Sequence, residues 1–313
     1  MSGMYTVMIK LYSLIGLGYA LRRSGVFSEE MIKRLTDLVI YLTLPSLTLS
    51  SMLGAPLSES VKAMMDVIQA AIYLHVVMFM ISMPITWVIL ERRDEMFITA
   101  MLATIGNAIF LPLPIVESLW GSALVPFVVT YGFIGIAFGN TLGAFLASMA
   151  SRGEIDLGER LLRMAKFPPF ISVIVAILLL IARVEIPSEV LSAMGYVGMP
   201  TSYVVMLIMG ALLADLKGNE LSRIGKGLAV VLVLRFIISP LLMMMGMSVL
   251  KPEPHVLRVV IVESIMPPAI TNIVIAAEFG AEESYVATLV LLSTICSLIT
   301  IWMIPTLEAL LIS

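Results

Sequence analysis

Ten apolar runs, each close to the length of a membrane crossing, divide this chain and leave little between them. A bilayer core about 30 Å thick takes roughly 20 apolar residues of helix. The runs cover about 4–21, 35–54, 67–90, 96–118, 122–150, 167–184, 199–215, 226–250, 255–278 and 284–311. A stretch such as VIVAILLLIA (173–182) does not alternate, which argues against the two-faced strands of a membrane barrel. The expected fold class is therefore an all-α membrane protein of ten transmembrane helices. Composition agrees: 60% of the residues are hydrophobic and 13% charged, against about 25% charged in a soluble domain. A net charge of −3 gives no basic field for nucleic acid, so the lipid bilayer is the expected partner. One cysteine, Cys296, and two distant histidines, His75 and His255, offer no metal-ligand cluster, and no resident metal or organic cofactor is expected.

The basic residues set an orientation. Connections one–two, three–four, five–six and seven–eight hold thirteen Lys and Arg, including Arg22, Arg92, Arg152 and Lys217. The other side holds three: Lys62, Arg183 and Lys251. The positive-inside bias puts the odd-numbered connections in the cytoplasm and both termini outside. The expected location is the plasma membrane, as a multi-pass protein. The first run lacks a basic leader and a small-residue cleavage site and ends in Arg22-Arg23, so it is read as a mature helix.

A polar stretch at 151–166 divides five runs from five. An odd number of spans per half forces two copies into opposite topology, an inverted repeat. Three correspondences support it: Pro45 with Pro200, the prolines of FMISMP (79–84) and FIISP (236–240), and LWG (119–121) with EFG (278–280). Their offsets are 155, 156 and 159 residues.

The fourth and ninth runs are interrupted in matching places. The fourth reads IGNAIFLPLPIVESLWG (105–121), with Gly106, Asn107, Pro112 and Pro114 breaking it. The ninth reads ESIMPPAITNIVIAAEFG (263–280), with Pro267-Pro268 at its middle. Proline removes an amide donor and clashes with the preceding turn. Freed backbone groups cannot face lipid, so such breaks are buried or line a cavity, and paired breaks in inverted halves point to a transporter site. Two of the four asparagines, Asn107 and Asn272, lie beside the breaks. They either satisfy freed backbone groups or touch substrate, and the two readings are compatible.

An ionisable group near midplane costs about 2.5–3.5 kcal/mol and needs a partner or a purpose. Glu263 stands one turn before Pro267-Pro268; it is either a proton- or cation-coupling residue or a buried partner of Arg235. Arg235 alternatively draws an anionic substrate into the cavity. His75, in the third span, is read as a structural histidine before a proton-relay member. Glu117 and Glu278 are expected near the interface, and Arg258 to snorkel. Gly135, Gly139 and Gly143 form a small-residue face, suited to a dimer seam or to packing beside the broken helices.

These residues resemble the auxin efflux carrier family. The carrying motifs are G-N followed by P-x-P and Gly over 106–121, and M-P-P-A-x-x-N-x-x-x-A-x-E-F-G over 266–280. RFIISP (235–240) and LTLPS (42–46) are similar to that family too. The resemblance implies crossing broken helices four and nine, with substrate at the crossover, where Asn107, Asn272, Pro112, Pro267, Pro268 and Arg235 stand. It implies a scaffold of spans one, two, six and seven (1–62 and 167–218). Spans three to five and eight to ten (63–150 and 219–313) then form a transport domain, with a cytoplasmic linker at 151–166. A homodimer and an elevator-like movement are implied as well. A more distant resemblance to bile-acid sodium symporters places Glu263, Asn107 and Thr130 at sodium-site positions. Phe79 and Pro126, however, replace polar ligands there.

The expected function is secondary transport of small organic anions, auxin-like or malonate-like, with sodium or a proton as coupling ion. The alternatives are a sodium-coupled bile-acid-type symporter and, in another class, a channel. No Walker A and no HExxH sequence occurs, which argues against ATP drive and against an intramembrane protease.

Overall fold

The computed structural model describes residues 2–54, 57–151, 168–215 and 224–312. Nearly all of the stretch expected as a linker, from 152 onward, lies outside these residues, and so do Lys217 and Arg223. Among the described residues every regular element is helical, and a single bridge joins extended backbone, Gly106 to Pro268.

The helices follow in chain order. They begin with α1 Ser2–Arg23, α2 Glu29–Leu38, α3 Leu44–Leu53, α4 Leu57–Ile89, α5 Arg93–Thr104 and α6 Pro112–Trp120. Then come α7 Val125–Phe138, α8 Ala144–Ser151, α9 Pro168–Ile181, α10 Ser188–Gly198 and α11 Thr201–Ala214. The chain closes with α12 Gly225–Val233, α13 Ser239–Leu250, α14 Pro254–Ser264, α15 Thr271–Glu278, α16 Glu283–Thr300 and α17 Ile304–Ile312. Among the described residues six continuous rods are long and apolar enough to cross a bilayer: Glu29–Leu53, Lys62–Ile89, Ser122–Ser151, Ser188–Ala214, Gly225–Leu250 and Ser284–Leu311. The fourth and ninth apolar runs are absent from that set because each is two short helices, of 12 and 9 residues and of 11 and 8.

Three rods start well before their apolar runs; in the third run α4 begins at Leu57 rather than about 67, and the rods of the second and seventh runs do the same. The second begins at Glu29, where Ser28 accepts the Met31 amide at 3.1 Å and Glu29 and Glu30 occupy the first turn. An N-cap hydroxyl followed by acidic residues is a helix start, and it carries an amphipathic turn into a run read as beginning at 35. The seventh begins at Ser188. Pro200 takes a helical φ of −73° between α10 and α11, so it interrupts the rod only locally.

Three π-turns sit inside the long rods, at Val39–Thr43, Gly139–Gly143 and Leu234–Ile238. Two of them end two residues before a proline. Pro45 and Pro240 cannot donate to the preceding turn and would crowd its carbonyl. The wider turn, closed by Leu44 N–H to Val39 O and by Ser239 N–H to Leu234 O, makes room. The second of these turns carries Arg235.

The chain forms two compact units. The first comprises Met1–Asp66, Ile109–Tyr131 and Ala165–Asp215. In it α1 runs against α11 at backbone contact: a Cβ on Gly18 would strike the Leu207 carbonyl, and one on Gly210 the Ile15 carbonyl. Small residues allow this approach between membrane helices. The Arg22–Asp215 pair, at 2.8 Å, closes one end of that helix pair.

The second unit comprises Val67–Ala108, Gly132–Met164 and Leu216–Ser313. Its core gathers Met101, Leu102 and Ile105 with Leu146 of α8, Ile275 and Ala276 of α15, and Val286 and Leu289 of α16. A buried Leu or Ile contributes about 1.5–3 kcal/mol relative to water. Within a bilayer that gain is smaller, and close packing carries the unit instead. Tyr73 lies over Gly246 and donates its hydroxyl to the Leu242 carbonyl at 3.0 Å.

Candidate functional site

Both interruptions reach the interior of the second unit. Helix α5 ends at Thr104, and Ile105 turns to an extended conformation. Helix α14 ends at Ser264 in a tightened turn, with Ile265 N–H to Val262 O at 3.2 Å and Met266 N–H to Glu263 O at 3.3 Å. Prolines 267 and 268 then deny the next two amides to any helix.

The freed groups satisfy one another. Asn107 N–H donates to the Pro267 carbonyl at 2.8 Å, and Ala269 N–H to the Ile105 carbonyl at 3.0 Å. These two bonds flank the antiparallel bridge of Gly106 and Pro268. Pro268 thus occupies a non-hydrogen-bonded position, where its missing N–H costs nothing. Asn272 adds a third link: its Nδ2 donates to the Ile105 carbonyl at 2.9 Å.

Arg235 closes the assembly from the π-turn. Its Nε donates to Met266 O at 2.8 Å, Nη1 to Ala103 O at 3.4 Å and Nη2 to Glu263 O at 3.4 Å. All three acceptors are carbonyls at the C-terminal ends of α5 and α14. Arg235 is 3% exposed, and its guanidinium lies so close to Gly106 that a Cβ there would collide with it. Glu263 is 2% exposed, and its Oε1 has no hydrogen-bond partner; the same holds for Oδ1 of Asn272, which is 0% exposed. Two buried acceptor atoms near the ends of the two interruptions thus take no hydrogen bond from the described residues, and such atoms call for a proton or another donor.

His75, buried in α4, belongs to the same surroundings. Its Nδ1 contacts the Ala71 carbonyl at 2.8 Å, and an acceptor there puts the ring hydrogen on Nδ1. The ring stacks on Phe138 at 4.9 Å. A Cβ on Gly135 would meet both His75 Nε2 and Ala108 of the first interruption. Gly139 and Gly143 face Ile105 in the same way. The small-residue face is thus filled within this unit, by the first interruption.

The residues read from the sequence are not all gathered here. Asn107, Asn272, Pro267, Pro268, Arg235, Glu263 and His75 belong to the second unit. Pro112 and Thr130 belong to the first. There Pro112 opens α6 at a position where its missing donor is harmless, and the Thr130 hydroxyl donates to the Pro126 carbonyl at 2.8 Å. Glu117 accepts a hydrogen bond from Ser202 in that unit, and the Glu278 side chain lies outside the described residues. Arg258 pairs with Glu308 at 2.8 Å.

Other participants escaped the sequence. The acceptors for Arg235 are main-chain carbonyls, which no residue type announces. Thr104, at the end of α5, shares a hydrogen bond with Ser82 of α4 at 3.2 Å. Ser82 and Ser239 do stand in the two proline motifs that correspond between halves, a signal that could have marked them.

The chain matches the membrane transport protein family over residues 4–154 and 157–305. An uncharacterized transporter of Methanocaldococcus jannaschii is 24% identical over 304 residues, covering 94% of this chain and 96% of the relative. An uncharacterized transporter of Methanothermobacter thermautotrophicus is 26% identical over 306 residues, covering 96% of each. The chain therefore belongs to the membrane transport protein family, that of the auxin efflux carriers it resembles, and it is a transporter rather than an enzyme.

Proposed function

We propose that the protein is a secondary carrier of small organic anions, with substrate held where the two interruptions meet. The observation that carries this reading is the reciprocal pair of bonds, Asn107 N–H to Pro267 O and Ala269 N–H to Ile105 O. Non-helical backbone at membrane depth is tolerated only where it is buried or lines a cavity, and paired interruptions are the usual seat of a carrier's substrate. On this reading ten spans form two inverted sets of five, and an elevator-like movement of the transport spans alternates access in a homodimer of the plasma membrane. Glu263 is the coupling group: its unpartnered oxygen takes up a proton as a carboxylate enters, so the pair crosses without added charge.

The test is a thermal-shift panel of purified protein against small mono- and dicarboxylates across pH. At least one carboxylate is expected to raise Tm. Asn107→Ala and Asn272→Ala are expected to stay folded and to lose that shift. An undiminished shift in both variants would remove the proposed site.

A further inference from the structure

We infer that Arg235 is a resident cation of the transport site. Its guanidinium permanently fills the place between two helix C-termini that would otherwise demand a bound alkali ion. The inference rests on the carrier reading only for its consequence, which is that transport needs no sodium or potassium at this position.

The charge arithmetic comes first. Each helix C-terminus carries about half a negative charge on its unsatisfied carbonyls. Helices α5 and α14 both end at the bridge, so about one negative charge converges there, among residues buried by the protein. One guanidinium balances it. The geometry agrees: each of the three Arg235 nitrogens donates to a different carbonyl, those of Met266, Ala103 and Glu263. A cluster of main-chain oxygens from separate segments is the donor set that hard monovalent and divalent ions take, and here a side chain of the protein occupies it.

The position is built to hold the group. Arg235 lies in a π-turn that Pro240 helps to fix, so its backbone is set independently of the interruptions. Gly106 packs directly on the guanidinium and admits no side chain. Arginine is the fitting cation, since its planar fork reaches several acceptors and it keeps its charge when buried. Arg235 is accordingly a positioning residue that ties both interruptions together, while Glu263 Oε1 and Asn272 Oδ1 remain open to the transported species.

The experiment measures Tm of purified protein in choline, sodium, potassium and methylguanidinium chlorides at equal, millimolar concentration. It compares wild type with Arg235→Lys, Arg235→Met and Arg235→Ala. Wild type is expected to show the same Tm in all four salts. Arg235→Lys, which keeps a cation, is expected to retain more of that Tm than the uncharged Arg235→Met. Arg235→Ala is expected to regain part of its loss in methylguanidinium and not in choline. A sodium- or potassium-specific rise in wild type would overturn the inference, and so would equal losses in the Lys and Met variants. A folded Arg235→Ala that methylguanidinium leaves unchanged would overturn it too. Should that variant not fold, the wild-type salts and the Lys–Met pair decide alone. Carboxylate shifts in the same assay stand apart: their absence removes the carrier reading and leaves the salt result intact.

Discussion

Gly106 and Glu263 mark two kinds of residue at the bridge, one legible in the sequence and one hardly so. A carboxylate inside a run as apolar as HVLRVVIVESIM is conspicuous, because burying it is expensive. A glycine beside an asparagine marks a break but not the guanidinium that rests on it. The contact makes a prediction. Gly106→Ala drives a Cβ into Arg235 and is expected to cost about 1–3 kcal/mol by overpacking. Gly16→Ala, where nothing lies within 4 Å, is expected to leave Tm unchanged or slightly raised. Equal Tm values for the two variants would contradict the contact. For Glu263 the expectation is functional: Glu263→Gln keeps the shape and removes the titrating proton. Counterflow of labelled substrate should persist in vesicles while uptake driven by a pH gradient disappears. Gradient-driven uptake at the wild-type level would deny Glu263 its role.

At the scale of elements, the interruptions were readable because proline acts on the backbone directly. Pro267-Pro268 remove two donors and crowd the preceding turn whatever surrounds them, and Pro112 marks a helix start. The π-turns before Pro45 and Pro240 were not readable, since an extra residue in a turn leaves the apolar pattern of a long rod unchanged. The early starts of the rods in the second and seventh runs were missed for another reason. Hydropathy follows the apolar middle of a rod and overlooks polar turns such as those that Ser28 and Pro187 introduce. The mutual satisfaction of the two breaks depends on register, and one sequence carries no register between distant segments. It nonetheless sets the energetics. A proline inside a helix costs about 3 kcal/mol, so removing both prolines lets α14 run on through 267 and 268. The double variant Pro267→Ala/Pro268→Ala is expected to fold but to lose the carboxylate-induced Tm shift, because a continuous helix withdraws the Pro267 carbonyl from Asn107. Pro268→Ala alone gains an N–H at a non-hydrogen-bonded position and should keep the shift. A double variant that binds carboxylate as wild type does would separate binding from the interruptions.

Across the whole molecule, the outer surface and the charge distribution address the same solvent. Large apolar side chains stand open on the rods, among them Val88 at 83% and Ile299 at 74% exposure. On a water-soluble protein such a surface would aggregate, whereas hydrocarbon covers it at no cost. The odd-numbered connections between the apolar runs hold thirteen basic residues and the even-numbered ones three, a bias that predicts a sense of insertion. Cys296 is the single cysteine and makes that sense measurable. In a Cys296→Ser background, one cysteine introduced between 152 and 166 and another at Glu185 would be offered to a membrane-impermeant maleimide on intact cells. The positive-inside bias predicts a cytoplasmic 152–166 stretch, expected to be labelled only after permeabilisation. Glu185, in the connection after α9, should be labelled at once. Labelling in the opposite order would invert the topology, and labelling of both from one side would place an even number of crossings between them. The second result would undo the proposed opposed orientation of the two halves, on which interruptions entering from both faces of the membrane depend, whereas the first would turn the whole molecule over and leave that opposition intact.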